Sequence, residues 1–280
     1  FSWQVQRDIT VNFIGLFDTV AGIVSPLVGD FSPGNARVSG LNLGLSASVA
    51  RKVVQLVARD EHRLNFALTR TDNDIVLPGA HSDIGGGYPP RSRERLLLSK
   101  PVTSIERVNT PLDQAMAVAR FRRSSDPWLD RLKARGIDWR ADVWSVAQRT
   151  SRDDLYPEKR VYVAALVARE VEGDLSKVYL RIMRELGARH QVPFDVIEES
   201  DRRFALPAEL IQVAEKLKAY AIGESSTMGL TQAEESLLYR RYIHLSAHWN
   251  ALNNWKNSEW DIVFINRPGD NHQRIVHANE

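Results

Sequence analysis

Apolar positions in this chain fall into short runs that stop at an acid, a glycine or a proline, with stretches of helical spacing between them. Val11-Asn12-Phe13-Ile14-Gly15-Leu16-Phe17-Asp18 is a compact run closed by an acid. It predicts a strand buried on both faces of a parallel sheet, with Asp18 at its C-terminal end. Asp74 to Gly79 reads as a second such strand, and Leu64 to Thr69 leads toward it. Ser25 to Gly40 is rich in Gly, Pro and Ser and reads as a loop. Ser46 to Glu61 predicts a helix with Val49, Val53, Val54, Leu56 and Val57 on its apolar side. Pro89 to Arg95 is charged and reads as a solvated loop, while Leu96 to Leu98 and Val161 to Val167 predict strands. Helical spacing covers Pro111 to Gly136 with a break at Pro127, then Leu175 to His190 and Ala208 to Ile222. Trp139 to Arg149 shows no single period. Thr231 to Asn250 predicts the best-patterned helix, opened by the capping box of Thr231 and Glu234. A last strand is expected at Asp261 to Ile265, before the turn Asn266-Arg267-Pro268-Gly269.

This order predicts an α/β protein with part of a mostly parallel sheet. Residues 1–100 are expected to hold the sheet core, and 101–230 a mostly helical insertion. Residues 231–280 would return a helix and a strand to the core. The stretch from about 90 to 200 interrupts the sheet elements and reads as a lid or membrane-facing module. Arg120, Arg122 and Arg123 followed by Trp128, Trp139 and Trp144 suit an anionic lipid interface. The same residues also read as a solvated helix face beside ordinary core tryptophans.

Bulk composition narrows the function classes. The 280 residues are 43% hydrophobic and 26% charged, ordinary for a globular protein with ample core. Against 37 basic residues stand 35 acidic ones, for a net charge of +2, which argues against a dedicated nucleic-acid binder. There is no cysteine, hence no disulfide frame, thiolate nucleophile or cysteine zinc site. No apolar run approaches the roughly 20 residues of a membrane-spanning helix, and nothing resembles a signal peptide. The chain starts at Phe1-Ser2-Trp3 without methionine, almost directly into a strand, and reads as part of a longer protein.

The chemistry concentrates in Pro78-Gly79-Ala80-His81-Ser82-Asp83-Ile84-Gly85-Gly86-Gly87-Tyr88. A histidine at a strand end, backed by Ser82 and Asp83 and followed by glycines, can be held at the rim of a cleft as a general base. Asp18 and His81 end two predicted parallel strands, where open α/β sheets bind ligands. They match the last two members of a Ser…Asp…His order whose serine sits on an earlier G-x-S-x-G elbow. In that reading Asp18 orients His81, and His81 moves the serine proton. Taken alone, Asp18 also fits a carboxylate capping the following turn, and His81 a structural histidine. Asp83 fits a structural role near the site. Gly85, Gly86 and Gly87 also fit an anion cradle, though without the lysine and helix start of a P-loop.

Gly15-Leu16-Phe17-Asp18-Thr19-Val20 and the His81 segment resemble two signatures of the type VI secretion phospholipase effectors, an α/β-hydrolase family. Asp60-Glu61-His62-Arg63, Gly173 to Met183 and Tyr242-Ile243-His244-Leu245-Ser246-Ala247-His248-Trp249 resemble further blocks, so the likeness spans most of residues 9 to 268. It implies an α/β-hydrolase fold and a secreted antibacterial serine lipase, made in the bacterial cytoplasm and delivered to the periplasm of a target cell. Phospholipid membrane is then the substrate, a secretion-apparatus component and an immunity protein are partners, and no cofactor or metal is needed. By resemblance Asp18 and His81 are catalytic, with Ser82, Asp83, Gly85, Gly86 and Gly87 in support. The family's nucleophile block, G-F-S-R-G, lies before the F-D-T-V segment, and nothing in residues 1–17 matches it. The chain is therefore expected to lack the serine and to be inactive by itself. A non-catalytic interaction domain, or an esterase of non-lipid substrates, stays open.

Gly44-Leu45-Ser46-Ala47-Ser48 resembles an elbow with its last glycine replaced, and it would follow the acid in the chain; a helix N-cap at Ser46 or Ser48 explains it better. His244 and His248, four apart on a predicted helix, would share a face and could bind a metal, yet Tyr239, Tyr242 and Trp249 suggest a packed aromatic surface. His62 is expected in a charge network with Asp60 and Arg63, and His190 at a helix C-terminus. His272 and His277 lie in a polar tail and carry no signal.

Overall fold

The computed structural model describes residues 10–20, 45–46, 48–148, 156–250 and 264–279. Its centre is a parallel sheet of three strands in the order β1 (Phe13–Phe17), β2 (Lys52–Ala58), β4 (Asp74–Leu77). Phe17 of β1 pairs with Leu56 of β2, and Ala58 of β2 with Leu77 of β4. β2 lies where a helix was expected. Its valines do recur at helical spacing, but Val53-Val54-Gln55-Leu56-Val57 is a β-branched run without a polar face, and the middle strand of a sheet covered on both sides needs such a run. Gln55 is the one polar residue buried in it. Its amide donates to the Thr69 carbonyl and Asp74 Oδ1, and its oxygen accepts from the Thr19 N–H. The fold is therefore α/β as predicted, with one more parallel strand than the pattern suggested.

A two-stranded parallel ladder of β3 (Leu68–Thr69) and β9 (Val276–His277) ties the C-terminal tail to the segment before β4. The second sheet is antiparallel. β8 (Glu158–Glu172) pairs with β5 (Arg91–Leu97), β6 (Val102–Arg107) and β7 (Arg140–Ala147). The stretch expected to be mostly helical thus contributes three strands, and the sheet includes a strand from before residue 100. Arg91, Arg93 and Arg95 are exposed and alternate with less exposed Ser92, Glu94 and Leu96, a period-2 pattern that the polar residues at its inward positions disguised as a loop.

α1 (His81–Gly85) follows β4 directly, and α2 (Met116–Arg123) and α3 (Pro127–Ala134) flank the break predicted near Pro127. Asp126 caps α3 by accepting the Trp128 N–H at 2.9 Å. α4 (Leu175–Arg189) and α5 (Ala208–Ala221) match their predicted spans. Leu56, Leu77, Ile84, Tyr179, Ile182, Leu210 and Tyr242 belong to the largest core cluster, which joins the parallel sheet to α4, α5 and α6 (Gln232–Arg241). Trp128 and Trp144 are buried and Trp139 packs against the core, so these tryptophans do not form an exposed lipid-facing patch.

α6 begins at the predicted box, with Thr231 Oγ1 accepting the Glu234 N–H and Glu234 accepting the Thr231 N–H. It ends nine residues before Asn250. Past Arg241 the helix does not continue, because carboxylates take N–H groups a helix would use: the His244 N–H donates to Asp83 Oδ2 and the Leu245 N–H to Glu94 Oε1. His244 and His248 consequently share no helical face. The predicted Ser25–Gly40 loop, the strand at the chain start and the core of the Asp261–Ile265 strand lie outside the described residues.

Candidate active site

β1 delivers Asp18 at its C-terminal end, where the backbone turns off the sheet with φ of 48°. That left-handed value is one aspartate adopts more readily than most residues. The carboxylate is fully buried, and its Oδ1 accepts the Ala58 N–H at 2.8 Å, which anchors it across the end of β2. Its Oδ2 lies 2.8 Å from Nδ1 of His81. An ionised carboxylate can only accept, so Nδ1 carries the proton and Nε2 is left as the basic nitrogen.

His81 reaches this position from the far side of β2. β4 stops at Leu77, Pro78 and Gly79 turn the chain, and His81 opens α1 rather than ending a strand. Gly79 has φ of 117°, and a Cβ there would stand 2.9 Å from Cβ of Asp83, so no other residue fits the turn. The His81 N–H donates to Glu61 Oε2 at 3.2 Å, and its ring meets Phe66 edge-on at 5.1 Å. Arg63 stacks over the other part of that assembly, 3.2 Å from the Phe66 ring centre, and its guanidinium pairs with buried Glu61 at 2.9 and 2.8 Å. Burial pushes the Glu61 carboxyl up, but the hydrogen bonds and charge of Arg63 outweigh it and hold it below its ordinary value. The ring of His81 is 26% exposed, enough for one edge to meet a substrate.

Arg274 completes the acid's surroundings. Its Nη1 and Nη2 donate to Asp18 Oδ1 and Oδ2 at 2.7 and 2.9 Å, a bidentate fork, and its Nε donates to the Phe66 carbonyl. Burial pushes the Asp18 carboxyl up; the hydrogen bonds from His81 and Arg274, the Arg274 charge and the Ala58 N–H overcome that and keep it below its usual value. Asp18 is thus ionised at neutral pH.

Asp83 takes a structural place one turn along α1. Buried at 2% exposure, it accepts the Ala80 N–H at 2.9 Å and the His244 N–H at 3.0 Å, and its Oδ1 meets His244 Nδ1 at 2.7 Å. Nε2 of His244 lies 2.8 Å from Ser92 Oγ, and Tyr88 stacks on the imidazole at 3.6 Å. Burial raises the Asp83 carboxyl above its ordinary range in spite of His244. Ser92, His244 and Asp83 repeat the hydrogen-bond order of a hydrolytic triad. However, His244 is only 1% exposed and lies under Tyr88, so an ester carbonyl has no approach to it. The Gly85-Gly86-Gly87 run is not an anion cradle of loop backbone. Gly85 ends α1, Gly86 is its left-handed cap at φ 77°, and the Gly87 N–H donates to the Ser82 carbonyl.

The other candidates settle differently from the sequence reading. His62 bonds the His272 carbonyl through Nδ1 at 2.8 Å and feels the Asp60 charge without a hydrogen bond to it, since Asp60 takes Tyr239, Arg59 and the Gly79 N–H. The tail is part of the structure: His272 stacks on Trp128 at 4.3 Å, and His277 lies in β9. His190 does cap α4. Ser46 caps no helix, since it precedes β2, and its Oγ bonds Ser48 Oγ at 2.8 Å on the surface. Among the described residues no group of three or more His, Asp or Glu side chains is gathered as for a metal ion, and no helix is long and apolar enough to cross a membrane. Sequence reasoning missed Arg274, Glu61, Ser92 and the tie between Asp83 and His244. The block likenesses at 60–63 and 242–249 pointed to the right segments without giving their partners.

Comparison with known proteins adds a family likeness. Residues 1–108 match the model of the type VI secretion system phospholipase effector Tle1-like catalytic domain. No curated protein sequence matches the chain. Among solved structures, a Tle1 effector bound to the VgrG spike of the type VI secretion system shares the fold with a TM-score of 0.77 and 29% identity, over 96% of this chain and 58% of that one. The chain therefore spans well under two thirds of the effector it resembles. The catalytic-domain match over β1, β2, β4 and α1, together with that likeness of fold, makes this chain similar to the Tle1-like phospholipase effectors of type VI secretion.

Proposed function

We propose that this chain supplies the acid and base of a serine hydrolase that cleaves the carboxylic esters of membrane phospholipids. The observation that carries the proposal is the 2.8 Å contact between Asp18 and His81 Nδ1, which leaves Nε2 free to act as base. In this reading a serine Oγ bonds to the ester carbonyl carbon while His81 Nε2 takes its proton. Asp18 stabilises the imidazolium, and the proton then leaves with the lysolipid alcohol as the carbon–oxygen bond breaks. Water attacks the acyl-serine by the same route and releases the fatty acid. Among the described residues no serine hydroxyl is hydrogen-bonded to His81. We assign the nucleophile to a part of the full-length protein outside these 280 residues, and with it the α/β-hydrolase elbow that would carry it. By the same likeness the full-length protein would travel on a secretion spike and act in the periplasm of a target cell.

The test is release of fatty acid from phospholipid vesicles by the full-length protein and its His81→Ala variant. Wild-type hydrolysis that falls to background in the variant, with unchanged circular dichroism, is the expected result. Hydrolysis retained by the variant would refute the triad.

A further inference from the structure

We infer that the cavity between α1 and the start of α4 is the subsite for one acyl chain of the substrate. The inference rests on the lipase reading above and deepens it. The cavity holds about 310 Å³, at the small end of ligand pockets and suited to part of a single chain. Its walls include Phe17, Ile84, Gly85, Tyr88, Leu180 and Phe204.

Three observations point to an acyl chain. The first is position. Ile84 and Gly85 stand three and four residues beyond His81 on α1, so the cavity runs along the helix face that carries the base. Phe17, also in the wall, is the residue before Asp18. The second is chemistry. Phe17 and Leu180 are 38% and 41% exposed, apolar surface that water covers at a cost and a hydrocarbon chain would cover without one. The charged residues of the wall are paired: Lys177 with Asp174 at 2.7 Å, and Arg203 with Asp201 at 2.6 Å. A neutral, apolar wall selects against the headgroup and for the chain. The third is space. A Cβ on Gly85 would meet nothing within 4 Å, so the glycine leaves open volume one turn from His81 that packing does not require.

The test uses the full-length protein on short-chain (hexanoyl) and long-chain (palmitoyl) phosphatidylcholine in mixed micelles. The variants are Gly85→Val, which fills the cavity from α1, and Leu180→Trp, which fills it from the exposed side of α4. Each methylene buried is worth about fourfold in kcat/KM, so blocking two or more lowers the long-to-short ratio by over tenfold. Wild type should favour the long chain, and each variant should lose that preference by at least tenfold. Hexanoyl turnover in the same preparation reports that the variant has folded. A wild type indifferent to chain length, or variants that keep its preference, would overturn the subsite and leave the lipase reading standing. A wild type that cleaves neither ester would overturn both.

Discussion

Arg274 grips both carboxylate oxygens of Asp18, at 2.7 and 2.9 Å, from 256 residues further along the chain. The carboxylate that bonds His81 is therefore also half of a buried ion pair, with Arg274 only 7% exposed. A buried carboxylate needs every such partner, because burial alone would drive it toward the neutral form. The C-terminal tail is thus bound into the site, through Arg274 and through the ladder of β9 on β3.

Removing that partner should destabilise the protein more than a surface charge would. Arg274→Ala leaves the Asp18 carboxylate buried and half-paired, a loss of roughly 3–5 kcal/mol. The sign with pH follows from the lowered carboxyl. Asp18 adds stability above its unfolded value and loses it as pH falls through its depressed folded value. Without Arg274 burial dominates, the carboxyl climbs, and acid unfolding should begin at a higher pH. Urea unfolding of wild type and Arg274→Ala across the acid range measures both effects, and coincident acid limbs would show that Arg274 does not hold the carboxylate down.

Asp18→Asn should lower turnover of the full-length enzyme by about four orders of magnitude, because an amide donor facing His81 Nδ1 selects the wrong imidazole tautomer. Phospholipid hydrolysis under substrate saturation reads this directly. A loss below tenfold would mean that another acid orients His81.

The contrast between these two residues shows what was legible in the sequence. Asp18 closes an apolar run and His81 stands between a Pro-Gly turn and glycines, so local pattern located both and chain order paired them. Arg274 sits in a polar tail with no periodicity, and long-range contacts such as the two-residue β3–β9 ladder bring it to Asp18. Local pattern also failed where tertiary bonds override propensity. The apolar spacing past Arg241 looks helical, but Asp83, Glu94 and Glu61 bind His244, Leu245 and Ser246 outside any helix. β2 was misread for the opposite reason: a strand buried on both faces has no alternation to reveal it.

The Ser92–His244–Asp83 chain is predicted to support the fold and not to react. Ser92→Ala removes one hydrogen bond and should cost about 1 kcal/mol of stability. Full-length turnover should stay within threefold. His244→Ala removes the partner of a buried carboxylate and should cost roughly 3–5 kcal/mol. Thermal unfolding and lipid hydrolysis of the two variants separate the roles. A Ser92→Ala protein that folds normally and hydrolyses nothing would make Ser92 the nucleophile.

Acid should weaken the fold through its buried histidines as well as its carboxylates. Burial pushes His248 down to about 4, helped by the Arg63 charge, and pushes His272 down to about 4 where it stacks on Trp128. Both are neutral in the fold and free to charge when unfolded, near the ordinary histidine value of about 6.5. Their contribution is complete above that value and is lost as pH falls from about 6.5 toward 4. His272→Phe keeps an aromatic ring on Trp128 and removes one of these titrations. The melting temperature of this variant should fall less than that of wild type between pH 6.5 and 4. Parallel curves over that interval would clear His272 as a source of acid sensitivity.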